Sequence, residues 1–395
     1  MELNFEDRFL WVQCQLDELG KLKSKKSIRK SLGSLPEGLH ETYENILVKI
    51  SNGNIGIVRQ ILQWLVCNGS TLSLAELHES LGIEPELDHI NDEALLSSPE
   101  DIVELCGSLI TITTEENVIL AHLSVKDYLL SNAIRGSRAS AFALLKTEVY
   151  TENAIRCLTY LSFADLSSGP ATSAHDFEAR LHQYPFLDHA SNWWATYVQN
   201  ANDSSELKET VLKFLSEPYH DNFLTSMQVI YSKDGWNSYP TYIKPLYYAA
   251  SFGLEHIVRA LLSLGAEVDA PGGRLDATAF HAAALQGNVR IMDILLQEGA
   301  DPTQVDDMQA TPLHSAALFG NFDAVAYLLD QGADLESKDA KMRTPYDYAC
   351  VFGHSQAFHQ LDTTKSNPKE NKRSRPSSIW PCVCYGNDRF DYYTS

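Results

Sequence analysis

Residues 311–320 read Thr-Pro-Leu-His-Ser-Ala-Ala-Leu-Phe-Gly, and the pattern returns along the chain. It stands as KPLYYAASFG at 244–253, TAFHAAALQG at 278–287 and TPYDYACVFG at 344–353. The glycines Gly253, Gly287, Gly320 and Gly353 are spaced 34, 33 and 33 residues apart. A second marker follows in phase, LGAEVD at 264–269, EGADPT at 298–303 and QGADLE at 331–336. Two separate motifs recurring at one period define a repeat architecture. Each unit is too small to bury its own faces and must stack on its neighbours.

The residue types explain the unit. Thr311 sits where a helix N-cap belongs, Pro312 at the first helical position and His314 two further on. The threonine hydroxyl can accept from a first-turn N–H. Ala316 and Ala317 are small, so two antiparallel helices can approach closely. Val325, Leu328 and Leu329 make the apolar face of a second helix, which Gly332 ends in a left-handed conformation. With its Thr-Pro-Leu-His and Gly-Ala-Asp markers, this pattern resembles the ankyrin repeat. That resemblance implies a histidine side chain bonded back to the threonine, so Thr278, His281, Thr311, His314 and Thr344 are expected to be structural caps and not catalytic groups. The outer repeats depart from the pattern, with Lys244 and Tyr247 replacing Thr and His in the first and Asp347 replacing His in the fourth. The second lacks the proline and carries PGGRLD at 271–276, one residue longer, which predicts the most irregular hairpin.

Ankyrin arrays bind through hairpin tips and the inner face of the first helices. The tips here are 270–275, 304–309 and 337–342. They offer Arg274, then Asp306, Asp307 and Met308, then Lys341, Met342 and Arg343 as a candidate contact strip for another protein. Exposed methionines suit adaptable contact.

Residues 57–131 carry a second pattern. Ile57, Val58, Ile61, Leu62 and Leu65 predict one helix. Ser73 and Glu76 predict a capping box that opens a second, with Leu72 and Leu77 as its hydrophobic staple. PEDIVELC, closed by Gly107, predicts a third. LITIT (109–113), a TEEN turn and VILAH (118–122) read as a hairpin, and Ser124 is the expected cap of a last helix, SVKDYLL. Three helices and a hairpin make a winged helix. Its third helix carries Glu100, Asp101 and Glu104 and no cation, which disfavours contact with DNA phosphates.

RFLWVQCQLDEL, SIRKSLGSLPEGLHETYENIL (27–47), ILQWLV, LCGSLITI and AHLSVKDYLL resemble, in this order, the region after the ATPase core of fungal NACHT–ankyrin proteins. These are STAND-class signalling NTPases related to NOD-like receptors. The helical stretch 140–217, with YPFLDHASNWW (184–194), is similar to the family's linker before its repeats. The resemblance implies that the apolar face of the first helix (Phe9, Val12, Leu16, Leu19) once packed on a NACHT module. No G-x-x-x-x-G-K-[ST] occurs, so the expectation is a truncated STAND-type protein with no nucleotide or other cofactor. His122 matches the position that senses the nucleotide phosphate in related receptors.

The net charge of −21 argues against broad attraction to nucleic acid or anionic membrane. Seven cysteines at scattered positions and no Cys-x-x-Cys suggest free thiols in a reducing compartment. No run of about 18 apolar residues predicts a membrane span, and no signal peptide is read. His40-Glu41 and His78-Glu79 lack the second histidine of a zinc protease, and Cys382-Val383-Cys384 has no partner ligand nearby. The basic run 21–30 reads as a solvated face.

The expected protein is mainly α-helical. It has a helical segment (1–56), a winged helix (57–135), a helical linker domain (136–239), four ankyrin repeats as an α-solenoid (240–362) and a disordered tail (363–395). The expected role is a non-enzymatic, cytoplasmic protein-interaction scaffold or adaptor in signalling of the incompatibility or innate-immunity kind, with the nucleus as an alternative location. No nucleic acid, membrane or small-molecule substrate is expected. The alternatives are part of a nucleotide-switched STAND NTPase and a winged-helix transcriptional regulator.

Overall fold

The computed structural model describes residues 38–67, 71–240, 243–351 and 353–354, together with Trp11, Val12, Leu16, Gly20, Ser24–Lys26 and Arg29. Phe9 and Leu19 of the first apolar face, most of the basic run and the tail lie outside the described residues. Val12 and Leu16 are exposed. The chain divides into two compact units. The first comprises residues up to Ser168 with His175–Asn202, and the second Gly169–Ala174 with residues from Asp203 onward.

In the first unit, helix α1 (Leu39–Val48) leads to α2 (Ile55–Val66), whose Val58, Ile61, Leu62 and Trp64 are buried at helical spacing. A short strand β1 (Leu72–Ser73) precedes α3 (Leu74–Ser80). The capping box is formed: Ser73 N–H donates to the Glu76 carboxylate at 2.7 Å, and Glu76 N–H to the Ser73 hydroxyl at 3.3 Å. Helix α4 (Asp101–Cys106) ends at Gly107, which has φ +56°. Strands β2 (Ile110–Ile112) and β3 (Asn117–Leu120) then pair antiparallel, with Ile110 opposite Leu120 and Ile112 opposite Val118. The sheet order is β1-β3-β2. Leu72 is therefore more than a staple residue: it lies in the sheet opposite Val118, and both are buried.

Helix α5 (Leu123–Leu130) starts two residues earlier than the Ser124 cap would have it. His122 is extended, and its Nδ1 accepts from Ser124 N–H at 3.2 Å. The Ser124 hydroxyl is instead engaged by Tyr43 at 2.8 Å, tying α1 to α5. After a short turn of helix, α6 (Asn132–Arg135), come α7 (Lys146–Leu161), α8 (Ala174–Gln183) and α9 (Phe186–Asn200). Trp64 of α2 meets Phe186, His189 and Tyr197 of α9 at ring separations of 5.2, 5.7 and 5.9 Å. The winged-helix core is thus continued by α9, and Glu79 of α3 accepts from Phe186 N–H at 2.6 Å.

The second unit opens with α10 (Ser205–Phe214) and α11 (His220–Ile230). The repeats follow as α12 (Pro245–Ser251) with α13 (Glu255–Ser263), α14 (Ala279–Gln286) with α15 (Val289–Gln297), and α16 (Pro312–Leu318) with α17 (Phe322–Asp330), then α18 (Pro345–Val351). The first helices α12, α14, α16 and α18 pack side by side in that order. Phe214, Phe223 and Tyr248 form an edge-to-face chain at 5.5 and 5.4 Å, so α10 and α11 cover the open end of the first repeat. The stretch read as a linker domain, 136–239, is divided between the two units, because α7 and α9 bury the winged-helix side while α10 and α11 bury the repeats. Among the described residues no helix is long and apolar enough to cross a membrane.

Candidate protein-interaction surface of the repeats

The hairpin tips at 304–309 and 337–342 are each closed by one aspartate. Asp306 is buried, and its carboxylate accepts from Met308 N–H at 2.8 Å and Ala310 N–H at 2.9 Å. One period later Asp339 accepts from Lys341 N–H at 2.9 Å and Arg343 N–H at 2.7 Å. This side-chain mimicry of a turn lets Gln309 and Met342 stand at φ +57° and +61° without being glycine. Burial raises the Asp306 carboxyl above its usual value against the pull of those two N–H bonds. Burial acts the same way on Asp339, but bonds from Arg343 and Tyr348 outweigh it and hold the group low.

Neighbouring tips are joined. Asp307 N–H donates to Leu275 C=O at 2.8 Å, and Ala340 N–H to Met308 C=O at 2.7 Å, so the loops form one ladder across three repeats. The 271–276 hairpin is indeed irregular, with Leu275 and Asp276 both left-handed at φ +60° and +54°. Tyr247, in place of the histidine, lies over Gly273: a Cβ there would come 2.0 Å from the ring.

The caps are built around imidazoles. His281 and His314 are buried. Nε2 of His281 lies 3.1 Å from Ala310 C=O, and Nε2 of His314 lies 3.1 Å from Arg343 C=O. A carbonyl can only accept, so Nε2 carries the proton and Nδ1 is the acceptor. Nδ1 of His281 receives the Thr278 hydroxyl at 2.9 Å and Thr278 N–H at 3.3 Å. Nδ1 of His314 receives the Thr311 hydroxyl at 2.9 Å and Thr311 N–H at 3.1 Å. The hydroxyl therefore serves chiefly as a donor to the ring, although His281 N–H also reaches the Thr278 hydroxyl at 3.5 Å. Burial pushes His281 down to about 4 and also lowers His314. In the fourth repeat Asp347 takes the ring's place, accepting from Thr344 N–H at 2.7 Å and from its hydroxyl at 2.8 Å.

The structure separates the seven candidate contact residues. Asp307, Lys341 and Met342 are exposed, Met342 at 66%. Met308 is half-buried and is not the counterpart of Met342, which aligns with Gln309 through their shared left-handed backbone. Asp306 is a closing residue inside its loop. Arg343 is committed to Asp339 at 2.7 Å and to the Tyr348 hydroxyl at 2.8 Å, with its guanidinium 4.6 Å from the Tyr348 ring centroid. The side chain of Arg274 lies outside the described residues.

A second row went unread in the sequence. The residues just before each repeat glycine are Ser251-Phe252, Leu285-Gln286 and Leu318-Phe319, and Val351 begins the fourth pair. Phe252, Leu285 and Phe319 are half-buried and Val351 is 71% exposed, at the ends of helices that pack side by side. The signal lay in the alignment itself: each pair before the glycine holds an apolar residue that is not fully buried, directly before the glycine in Phe252 and Phe319 and one residue earlier in Leu285 and Val351.

Comparison with known proteins agrees with this architecture. The family model for ankyrin repeats matches in three overlapping copies, at 208–306, 246–339 and 280–369. The first copy begins within α10. The model for the GPI inositol-deacylase winged helix domain matches residues 45–145. Azaphilone pigments biosynthesis cluster protein L of Monascus ruber is 28% identical over 295 residues, covering 68% of this chain and 61% of that protein. Human palmitoyltransferase ZDHHC13 is 43% identical over 61 residues, 15% of this chain and 10% of its own. Palmitoyltransferase AKR1 of Kluyveromyces lactis is 51% identical over 49 residues, 12% and 6% of the two chains. The chain thus spans less than two thirds of each of these relatives. It carries ankyrin repeats in its C-terminal half and a winged-helix domain of the GPI inositol-deacylase type in its N-terminal half.

Proposed function

We propose that the repeats hold another protein, in a non-enzymatic adaptor role within signalling of the NACHT–ankyrin, STAND-like kind. The observation that carries this is the hairpin ladder. Its backbone is fixed by buried Asp306 and Asp339, yet it presents Asp307, Lys341 and Met342 outward. Exposed side chains on a rigid edge are well suited to a partner. The winged helix of the type seen in NACHT proteins supports the signalling context, and with it a cytoplasmic location. A transcriptional role is less well supported, since Asp101 and Glu104 on α4 would face phosphates. The nucleotide-switched alternative would place ATP chemistry on a separate P-loop domain, since this sequence has no G-x-x-x-x-G-K-[ST], so this chain should not turn over ATP.

The test is capture of partners from a lysate of the source cells by the full chain and by Asp307→Arg with Met342→Asp. Aspartate tolerates the left-handed backbone at 342. Capture should be lost while stability stays within about 0.5 kcal/mol, the usual range for surface changes. Unchanged capture would put the binding surface elsewhere, and ATP turnover by the purified chain would refute the non-enzymatic role.

A further inference from the structure

We propose that Arg59 of α2 and Arg156 of α7 form a docking site for a carboxylate carried by an acidic segment of another protein. Both residues belong to the winged-helix unit, and the site does not depend on the reading of the repeats. Helical spacing builds it. Arg59 and Gln63 stand one turn apart on α2, and Glu152 and Arg156 one turn apart on α7, so four side chains meet across two helices. They converge on one oxygen. Gln63 Nε2 donates to Oε2 of Glu152 at 2.7 Å, and the same Oε2 lies 3.5 Å from Nη1 of Arg156 and 3.9 Å from Nη1 of Arg59. The short bond goes to the neutral amide, and both cations are left at ion-pair distance. Nη1 of Arg156 is shielded from solvent and has no hydrogen-bond partner among the described residues.

Charge balance points the same way. One carboxylate serves two guanidiniums, which leaves a local positive excess in a chain of net charge −21. Arg156 is only 18% exposed, and burial lowers its guanidinium from the usual range, with Glu152 opposing and Arg59 adding to the fall. Two arginines around one acid are unremarkable in open water. A mostly buried one with a shared counter-ion is costly, and a second anion relieves it. Arg59, 30% exposed, still opens to solvent and keeps the pair accessible. Guanidinium suits the task, because its flat fork of donors matches a carboxylate in parallel bonds and sheds water readily. The seam stays cationic further along. Cys67, one turn beyond Gln63, accepts from Asn153 Nδ2 of α7 at 3.4 Å and lies in the field of Lys126 and Lys146. Arg59 and Cys67 are about 12 Å apart along α2, which is the reach of about four residues of extended chain. A segment with acids at that spacing meets cations at both ends, which favours an acidic peptide over a lone small anion.

The experiment uses the full chain and a synthetic peptide of glutamates with photoreactive benzoylphenylalanine at its centre. After irradiation in about 50 mM NaCl, mass spectrometry locates the cross-links. They are expected on the segments around Arg59 and around residues 152–156. The basic stretches 21–30 and 369–375 act as internal competitors, and cross-links confined to them, or none at all, would overturn the proposal. Arg59→Gln should lower the yield on α2 and α7 roughly fivefold and leave the basic stretches unchanged. Arg156→Lys, which keeps the charge and loses the fork, should fall with it. Glu152→Gln should raise the yield about threefold, because it removes the acid with which the peptide shares the two cations. A cluster that serves the fold alone shows no such gain, so equal yields across the three variants, or a fall for Glu152→Gln at an unchanged melting temperature, would sink the site. Loss of the cross-links to inorganic phosphate but not to equimolar glutarate would replace the carboxylate by a phosphate group and overturn the assignment. None of these outcomes bears on capture by the repeat tips.

Discussion

At the scale of single residues, the buried imidazoles make acid sensitivity a property of the repeats. His281 is neutral in the fold, with its acceptor nitrogen facing two donors and its pKa pushed down to about 4. The unfolded chain takes up the proton near 6.5, before the folded one does. The stability from this residue is therefore complete above about pH 6.5, falls as pH drops towards 4 and levels off below. A shift of that size corresponds to on the order of 3 kcal/mol for His281. Urea unfolding midpoints of the repeats between pH 4 and 7.5 should show that slope, and His281→Gln should flatten it. The two neighbouring aspartates should behave in opposite ways. Asp306→Ala strands two N–H groups in a buried loop and should cost about 1–3 kcal/mol, whereas Asp307→Ala should stay within about 0.5 kcal/mol. Equal effects of the two changes on thermal unfolding would show that the tip is not closed as described.

At the scale of elements, close approaches replace the motif where the motif fails. Tyr247 fills the place of a capping histidine by lying on a glycine pair, so Gly273→Ala drives a methyl into its ring and should cost about 1–3 kcal/mol. Gly265→Ala, at φ +88° with open space around it, should cost about 1 kcal/mol from backbone strain alone. The difference in midpoint between these two variants checks the packing of the first repeat. Much of this level was legible beforehand. The repeats announce themselves because their period is written twice, in Thr-Pro-Leu-His and in Gly-Ala-Asp, and the Ser73–Glu76 box because both partners are local. The missing parts depended on distant chain. Strand β1 is two residues long and exists only because Val118 and Asn117 lie opposite it. The His122 cap was hidden because Ser124, the better capping residue by type, is claimed by Tyr43, 81 residues away. Asp306 looked like a contact residue because nothing in a sequence tells a carboxylate that closes a loop from one that faces solvent.

At the scale of the whole molecule, the net charge of −21 sets a background of self-repulsion. Raising NaCl from 20 to 300 mM should raise the melting temperature by a few degrees, read by scanning calorimetry; a fall would mean that ion pairs such as Arg138–Glu44 outweigh the repulsion. A different long-range order runs through the repeats. Thr278 N–H donates to His281, which donates to the carbonyl of the 310–311 peptide. That peptide's N–H donates to His314, which donates to the carbonyl of the 343–344 peptide, whose own N–H ends on Asp347. Every donor points the same way, and the distances run 3.3, 3.1, 3.1, 3.1 and 2.7 Å towards the carboxylate. Two imidazoles and two peptide groups thus form one polarised wire with a negative terminal, in which each bond strengthens the next. Neither ring can change tautomer, because a flip would set its Nδ1–H against a threonine N–H and its bare Nε2 against a carbonyl. Three repeats therefore share a single direction of polarity, and disturbing Asp347 at one end should be felt by His281 at the other.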